Sequence, residues 1–270
     1  MMAPRPLLGL YPRGMKRDDL VCWLNTYLAI DTFDDSSFNG LQVEGRDEVV
    51  KVAVAVDASL HTFERAAELG ADLLIVHHGL FWGVQKAVRG MHRSRVKFLL
   101  DADISLYAAH IPLDAHREVG NNWGLARILG LGGLEDFGHY RGLPIGVKGA
   151  FTDGIDRREL ADRVERELSR EVGRGESVLV HAGGPQVVQT MGIISGGAAW
   201  DVVTAAEEDL DCFLTGEPKH EVFHEAFERG INVIYAGHYM TETVGVNLLA
   251  EKLRDRFDLK TEFILHSTGL

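Results

Sequence analysis

The chain is poor in cysteine, in long apolar runs and in basic surface. Two cysteines, Cys22 and Cys212, stand far apart in 270 residues and form no metal-binding pair. That excludes a disulfide framework and points to reduced thiols in a cytoplasmic protein. No apolar run approaches the roughly 18 residues of a spanning helix, so no membrane partner is expected. The start, "MMAPRPLLGLYPRGMKRDD", has three prolines and a four-residue apolar run, too short for a signal-peptide core. Residues 1–15 are expected to be a flexible extension. Lys and Arg number 28 against 40 Asp and Glu, a net charge of −12. A phosphate-backbone footprint needs a basic face, and none stands out, so nucleic acid is not expected as a partner. A small phosphorylated ligand is not excluded by charge.

Apolar residues make up 46% and charged residues 25%, ordinary for a globular protein. From about Val49 short β-rich runs alternate with helical segments. "VVKVAVAV", "ADLLIVHH" and "ISLYAAH" read as strands, with helices at "SLHTFERAAELG", "RSRVKFLLDAD" and "NNWGLARILG". A glycine-rich, less regular section, "LGGLEDFGHYRGLPIGVKGAFTDGID", follows, with a helix at about Arg157–Arg170. The alternation then resumes with strands at "VVQTMGIIS", "LDCFLTGE" and "INVIYAGH", and "KTEFILHS" closes the chain. Continuous apolar strands alternating with helices predict α/β architecture with mainly parallel sheets covered on both faces.

The two alternating sections resemble copies. "VAVAVDASLHTFERAAELGADLLIVHH" lies over "MGIISGGAAWDVVTAAEEDLDCFLTGE" without a gap, and "LYAAHIPLD" over "IYAGHYMTE". The second match sets His110 opposite His238 and Asp114 opposite Glu242. An internal duplication gives two similar α/β domains, 1–130 and 131–270.

The polar residues of interest sit where strands finish, the edge at which open α/β sheets bind ligands. His77 and His78 end one strand, and His110 ends the next with Asp114 four residues on. Glu217 follows a strand of the second copy, and His238 ends its neighbour with Glu242 four residues on. Imidazole is the commonest side-chain ligand of transition metals. His77, His78, Asp114, His238 and Glu242 supply five nitrogen and oxygen ligands, more than an open catalytic zinc takes. Such a set suits two ions about 3.5–4 Å apart, and without cysteine the candidates are Zn²⁺, Mn²⁺ or iron. Each residue also has a structural reading. Adjacent histidines are often one buried and one exposed, Glu242 could favour a helix dipole, and Asp114 could cap a turn.

Two further motifs are weak. The glycines of "IISGGAAWDVV" could cradle a phosphate, but the Walker lysine and the dinucleotide glycine pattern are missing, and a tight strand-to-helix turn explains them better. His220 and His224 are one helical turn apart but not in His-Glu-x-x-His order, so a helix face explains them more simply.

The pieces "FNGLQVEG" (Phe38–Gly45), "VAVAVDAS", "LLIVHHGLFWG", "YAAHIPLDA", "GNNWGLA", "ISGGAAWD", "FLTGEPKHEV" and "AGHYMTETVGV" resemble the dinuclear-metal-centre, NGG-interacting-factor-three-like family, often labelled GTP cyclohydrolase 1 type 2 homologues. The resemblance runs from about residue 16 to the C-terminus. It implies two related α/β domains facing a cleft, a ring-shaped homohexamer and a two-metal site in that cleft, with the family's ligands falling on His77, His78, Asp114, His238 and Glu242. His110 would sit beside the metals. The expected function is a metal-dependent hydrolase in which water attacks a small-molecule substrate, a nucleotide such as GTP, with His110, Glu217 or His116 moving protons. Two alternatives stand beside it: a non-catalytic metal-binding or regulatory assembly protein, and a dinuclear phosphoesterase acting on nucleotides.

Overall fold

Apolar residues at successive positions of "VAVAV" and "LLIV" need cover on both faces of their sheet. The computed structural model, which describes residues 14–84, 86–172 and 178–270, supplies it. A short ladder joins β1 (Met15–Lys16) to β3 (Glu48–Val49), and between them lie α1 (Arg17–Tyr27) and β2 (Gly40–Val43). β4 (Lys51–Asp57) leads through α2 (Leu60–Glu68) to β5 (Leu73–His78), and α3 (Gly90–Ala102) leads on to β6 (Ser105–Ala108). The chain then turns through α4 (Ile111–Ala115) and α5 (Asn121–Leu129).

The second half opens with β7 (Gly132–Tyr140), β8 (Leu143–Asp156), α6 (Arg157–Val172) and β9 (Leu179–Ala182). A second alternating series follows: β10 (Val187–Ile193), α7 (Val202–Glu207), β11 (Cys212–Thr215), α8 (Val222–Glu228) and β12 (Asn232–Tyr235). It ends in α9 (His238–Thr241), α10 (Thr243–Phe257) and β13 (Lys260–Phe263).

Two sheets carry the fold, in the orders β13-β4-β5-β6-β2 and β7-β8-β10-β11-β12-β9. Their centres are parallel and matched in register: β5 sets Leu73 opposite Ser105, and β11 sets Cys212 opposite Asn232. Strand alternation divides the first sheet's side chains between two cores. Val52, Val54, Leu73 and Ile75 pack under α1 and α10, with Leu20, Leu24, Leu249 and Leu253. Ala53, Ala55, Leu74 and Val76 pack under α2 and α3, with Phe63 and Leu99.

The structure refines three expectations. The glycine-rich section is regular: β7 and β8 form a long antiparallel hairpin. Its turn, Arg141-Gly142, has φ of 48° and 88°, as a two-residue turn between twisted strands requires. Glycines at the left-handed positions 138 and 154 and a register shift between Gly132 and Glu135 hide the period-two pattern. Second, residue 130 falls between β6 and β7, but neither side of it keeps to one sheet. α5 packs on the second sheet through Trp123, Leu125 and Leu129, while β13 returns to pair with β4. The return shields the edge of β4, which would otherwise stand unpaired. Third, the gapless overlay of "LYAAH" on "IYAGH" runs one residue out of step with the strand register, since Ser105 and Asn232 take equivalent places. The proposed extension lies largely outside the described residues, which begin at residue 14.

Candidate metal centre

β5 lies between β4 and β6, and its last two side chains use that position. His77 is fully buried, and its Nδ1 lies 3.0 Å from the carbonyl oxygen of Ala109, just past β6. The Nδ1 of His78 lies 2.8 Å from Asp57, the last residue of β4. The two rings, 4.7 Å apart, are thus tied to opposite neighbours, yet their Nε2 atoms share one cleft beyond the strand end.

His238 opens α9, and its Nδ1 lies 2.6 Å from Glu217 Oε1. His110 Nδ1 lies 3.0 Å from each oxygen of Asp35. In all four rings Nδ1 faces an oxygen acceptor. A neutral imidazole therefore carries its proton there and leaves Nε2 as a bare lone pair. An acceptor behind each ring is the arrangement that orients metal-binding histidines.

Glu242, 3% exposed, stands at the junction of α9 and α10 and joins the group. Its Oε1 lies 3.4 Å from His77 Nε2 and 3.0 Å from His238 Nε2, and its Oε2 lies 3.3 Å from His78 Nε2. Asp114 Oδ1, on α4, is 3.7 Å from His77 Nε2. It accepts hydrogen bonds from Asn121 Nδ2 at 2.8 Å and Ser195 Oγ at 3.0 Å. Three overlapping sets result, each compact enough for one ion: His77, Asp114 and Glu242; His78, His238 and Glu242; and His77, His78 and His110.

The electrostatics suit a cation. Burial works against the charged form of His77, but Asp114 and Glu242 outweigh it and raise its pKa to about 9. Burial likewise opposes charge on His238, and Glu242 and Glu217 raise it to about 9. Burial alone would raise Glu242, yet His77, His238 and His78 hold it far below the usual carboxylate range. His77 Nε2 and Glu242 Oε2 are buried without a hydrogen-bond partner. Such atoms cost about 1–3 kcal/mol each when nothing satisfies them. The donor set and these two orphaned atoms fit divalent cations.

The glycine turn of "ISGGAAW" makes room for this group. Gly196 has φ +66°, and a Cβ there would stand 2.4 Å from Glu242 Oε1. Its amide donates to Thr241 Oγ1 at 3.0 Å. A cavity of about 390 Å³ opens over the centre, walled by Trp82, His139, Tyr140, Ser195 and Asp201. The β7–β8 hairpin brings His139 and Tyr140 to it.

The five expected ligand residues come together, and His110 joins them more closely than expected. Glu217 acts on His238 rather than facing the centre alone. His116 lies elsewhere: its Nε2 is 2.9 Å from the carbonyl oxygen of Tyr27, and its ring packs on Tyr27. Among the described residues, His220 and His224 belong to none of the three sets. Sequence reasoning missed Asp57, Asp35, Asn121 and Ser195. Asp57 ends an apolar strand beside that of His77 and His78, a signal open to reading. Asp35 comes from a loop with no periodic pattern.

Two α/β lobes whose strand ends converge on histidines and carboxylates that could hold a metal ion define a class of protein. The chain belongs to the Duf34/NIF3 (NGG1p interacting factor 3) family, whose model matches residues 15–268. A "GTP cyclohydrolase 1 type 2 homolog" of Deinococcus radiodurans is 48% identical over 254 residues, 94% of each chain. A protein of the same name from Pyrococcus abyssi is 41% identical over 95% of this chain and 100% of its own. The crystal structure of TTHA1606 from Thermus thermophilus matches with a TM-score of 0.84 at 49% identity, over 95% of this chain and 100% of that one. Among the described residues, no helix is long and apolar enough to cross a membrane.

Proposed function

We propose that the protein is a metal-dependent hydrolase holding two divalent cations, zinc, manganese or iron, and acting on a nucleotide. The observation that carries this reading is the division of the ligand atoms around one shared carboxylate. Glu242 reaches His77 and His238 through Oε1 and His78 through Oε2. It can therefore belong at once to a site with His77 and Asp114 and to a site with His78 and His238. Two cations held by these residues would supply polarisation of the bond under attack and a lowered pKa for water.

The chain's own residues supply orientation and proton handling. Asp57, Glu217 and the Ala109 carbonyl fix the imidazoles with Nε2 inward. Asn121 and Ser195 hold Asp114 in place. His110, backed by Asp35 and lining the cavity, is suited to take or return a proton at Nε2. The name shared by the relatives from Deinococcus and Pyrococcus suggests GTP as the first substrate to try. A similar fold does not by itself transmit a substrate. The same reading carries a cytoplasmic homohexamer, supported by family resemblance.

The test is turnover. Chelated protein is reloaded with Zn²⁺, Mn²⁺ or Fe²⁺ and offered GTP within a nucleotide panel. Hydrolysis that His78→Ala and Glu242→Ala abolish supports the proposal. Phosphate release with the purine ring intact redirects it to a phosphoesterase. Absence of metal-dependent turnover across the panel overturns it in favour of a metal-binding assembly protein.

A further inference from the structure

Beside the metal centre lies a second cavity of about 360 Å³, lined by Phe38, Asn39, Gln42, Phe81, Trp82 and Lys86 among others. Trp82 walls both cavities, and its ring meets His110 edge-on at 5.1 Å. The pocket is built rather than incidental. Gln42 donates to the Phe38 carbonyl at 2.6 Å and accepts from the Leu80 amide at 2.7 Å, locking residues 38–42 to the chain after His78. The Phe38 amide donates to the Phe81 carbonyl at 3.0 Å. Asn39 links the wall to the centre by accepting from the His110 amide at 2.8 Å.

Phe38 is 54% exposed, so its ring is open to a ligand. Lys86, the cation of the pocket lining, opens a stretch of sequence unusual for so acidic a chain. From Leu73 to Leu100 there is no Asp or Glu, while Lys86, Arg89, Arg93, Arg95 and Lys97 all fall within the stretch. Among the described residues, only Lys97 of these five has an acidic partner, Asp101. A cation in a pocket wall, such as Lys86, draws anions, and exposed aromatic faces stack planar rings.

The geometry points to a ligand-binding compartment in which Phe38, Phe81 and Trp82 receive the planar heterocycle of a nucleotide, and Lys86 pairs with its anionic group. This rests on the hydrolase reading for the choice of a nucleotide as the ligand. It can nevertheless fail or succeed separately from that reading.

The experiment is equilibrium binding of guanosine 5′-monophosphate, guanosine and ribose 5-phosphate to the full chain, both chelated and metal-loaded. Chelation removes phosphate capture by the metals and leaves the pocket. Phe38→Ala is expected to weaken the nucleotide and the nucleoside about tenfold and to leave ribose 5-phosphate unchanged. Lys86→Gln is expected to weaken the two phosphorylated probes and spare guanosine. Absence of guanosine binding, or guanosine binding indifferent to Phe38→Ala, overturns the inference. So does a Phe38→Ala variant whose only change is a smaller assembly by sedimentation, which would make the pocket a contact between copies. Intact guanosine binding without turnover would remove the hydrolase and keep the compartment.

Discussion

Asp72 and Asp211 do the same work in the two halves of the chain. Asp72 Oδ2 accepts from the amides of Val50 and Lys51 at 2.8 and 2.9 Å. Asp211 Oδ2 accepts from the amides of Gln189 and Thr190 at 2.8 and 3.0 Å. One sequence offset relates all three pairs of residues. Gly70 and Asp209, related by that offset too, both take left-handed backbone conformations just after a helix. The duplication therefore survives in local hydrogen bonding where few identities remain.

Because each carboxylate satisfies two strand-leading amides, Asp72→Ala and Asp211→Ala should both destabilise the protein, by about 1–3 kcal/mol. Asp72→Ala should cost more, since Asp72 also pairs with Arg46 at 2.9 Å. The Asn variants keep an acceptor oxygen and should recover part of the loss. Denaturant unfolding of the four variants checks this.

Much of this could be read beforehand. Alternating apolar strands and helices sufficed for both sheet centres, and strand ends bearing His77, His78, His110 and His238 sufficed for the cluster. The rest failed for specific reasons. Glycines masked the period of β7 and β8. The carboxylate behind His110 comes from Asp35, in a loop distant in sequence, and pairing across a fold leaves no local spacing; Asp57, opposite His78 on the adjacent strand, was open to reading. The basic run from Lys86 to Lys97 disappeared into a net charge counted over the whole chain.

Asp57 and Glu217 stand behind Nδ1 of His78 and His238. Asp57→Asn and Glu217→Gln should fold normally yet bind metal about 10–100-fold more weakly, as loss of such outer hydrogen bonds does elsewhere. Competition against a chromophoric chelator measures it. Unchanged affinity in both variants would contradict the orienting role.

Metal loading should expel protons. His77 and His238 hold theirs up to about pH 9 without metal, and a ligating imidazole must be neutral. Titration calorimetry of Zn²⁺ binding at pH 7 in buffers of different ionisation heat should therefore show proton release, with affinity rising towards pH 9.

The same shifts set the stability of chelated protein. A histidine raised from 6.5 to about 9 contributes fully below 6.5, and its contribution fades as pH rises through 9. Glu242 has the opposite sign: held low, it contributes above its ordinary 4.5, and that contribution is lost as pH falls through the depressed value. Melting temperatures of chelated and metal-loaded protein should thus diverge between pH 6.5 and 9, with the loaded form the flatter. Parallel curves over that interval would argue against ionised His77 and His238.

Gly196→Ala should damage the centre from outside the ligand set. Its Cβ would meet Glu242 Oε1 at 2.4 Å, on a backbone with φ +66°. Left-handed backbone costs a non-glycine residue about 1–2 kcal/mol, and displacement of Glu242 should lower bound metal as well. Thermal unfolding and elemental analysis of the variant read the two effects separately.

The central claim is that Glu242 is shared between two cations. Anomalous diffraction at the absorption edge of the loaded metal tests it most directly. Two peaks are expected, one among His77, Asp114 and Glu242 and the other among His78, His238 and Glu242. Crystals loaded to saturation that show no anomalous density at Glu242, with the imidazoles still turned inward, would contradict it.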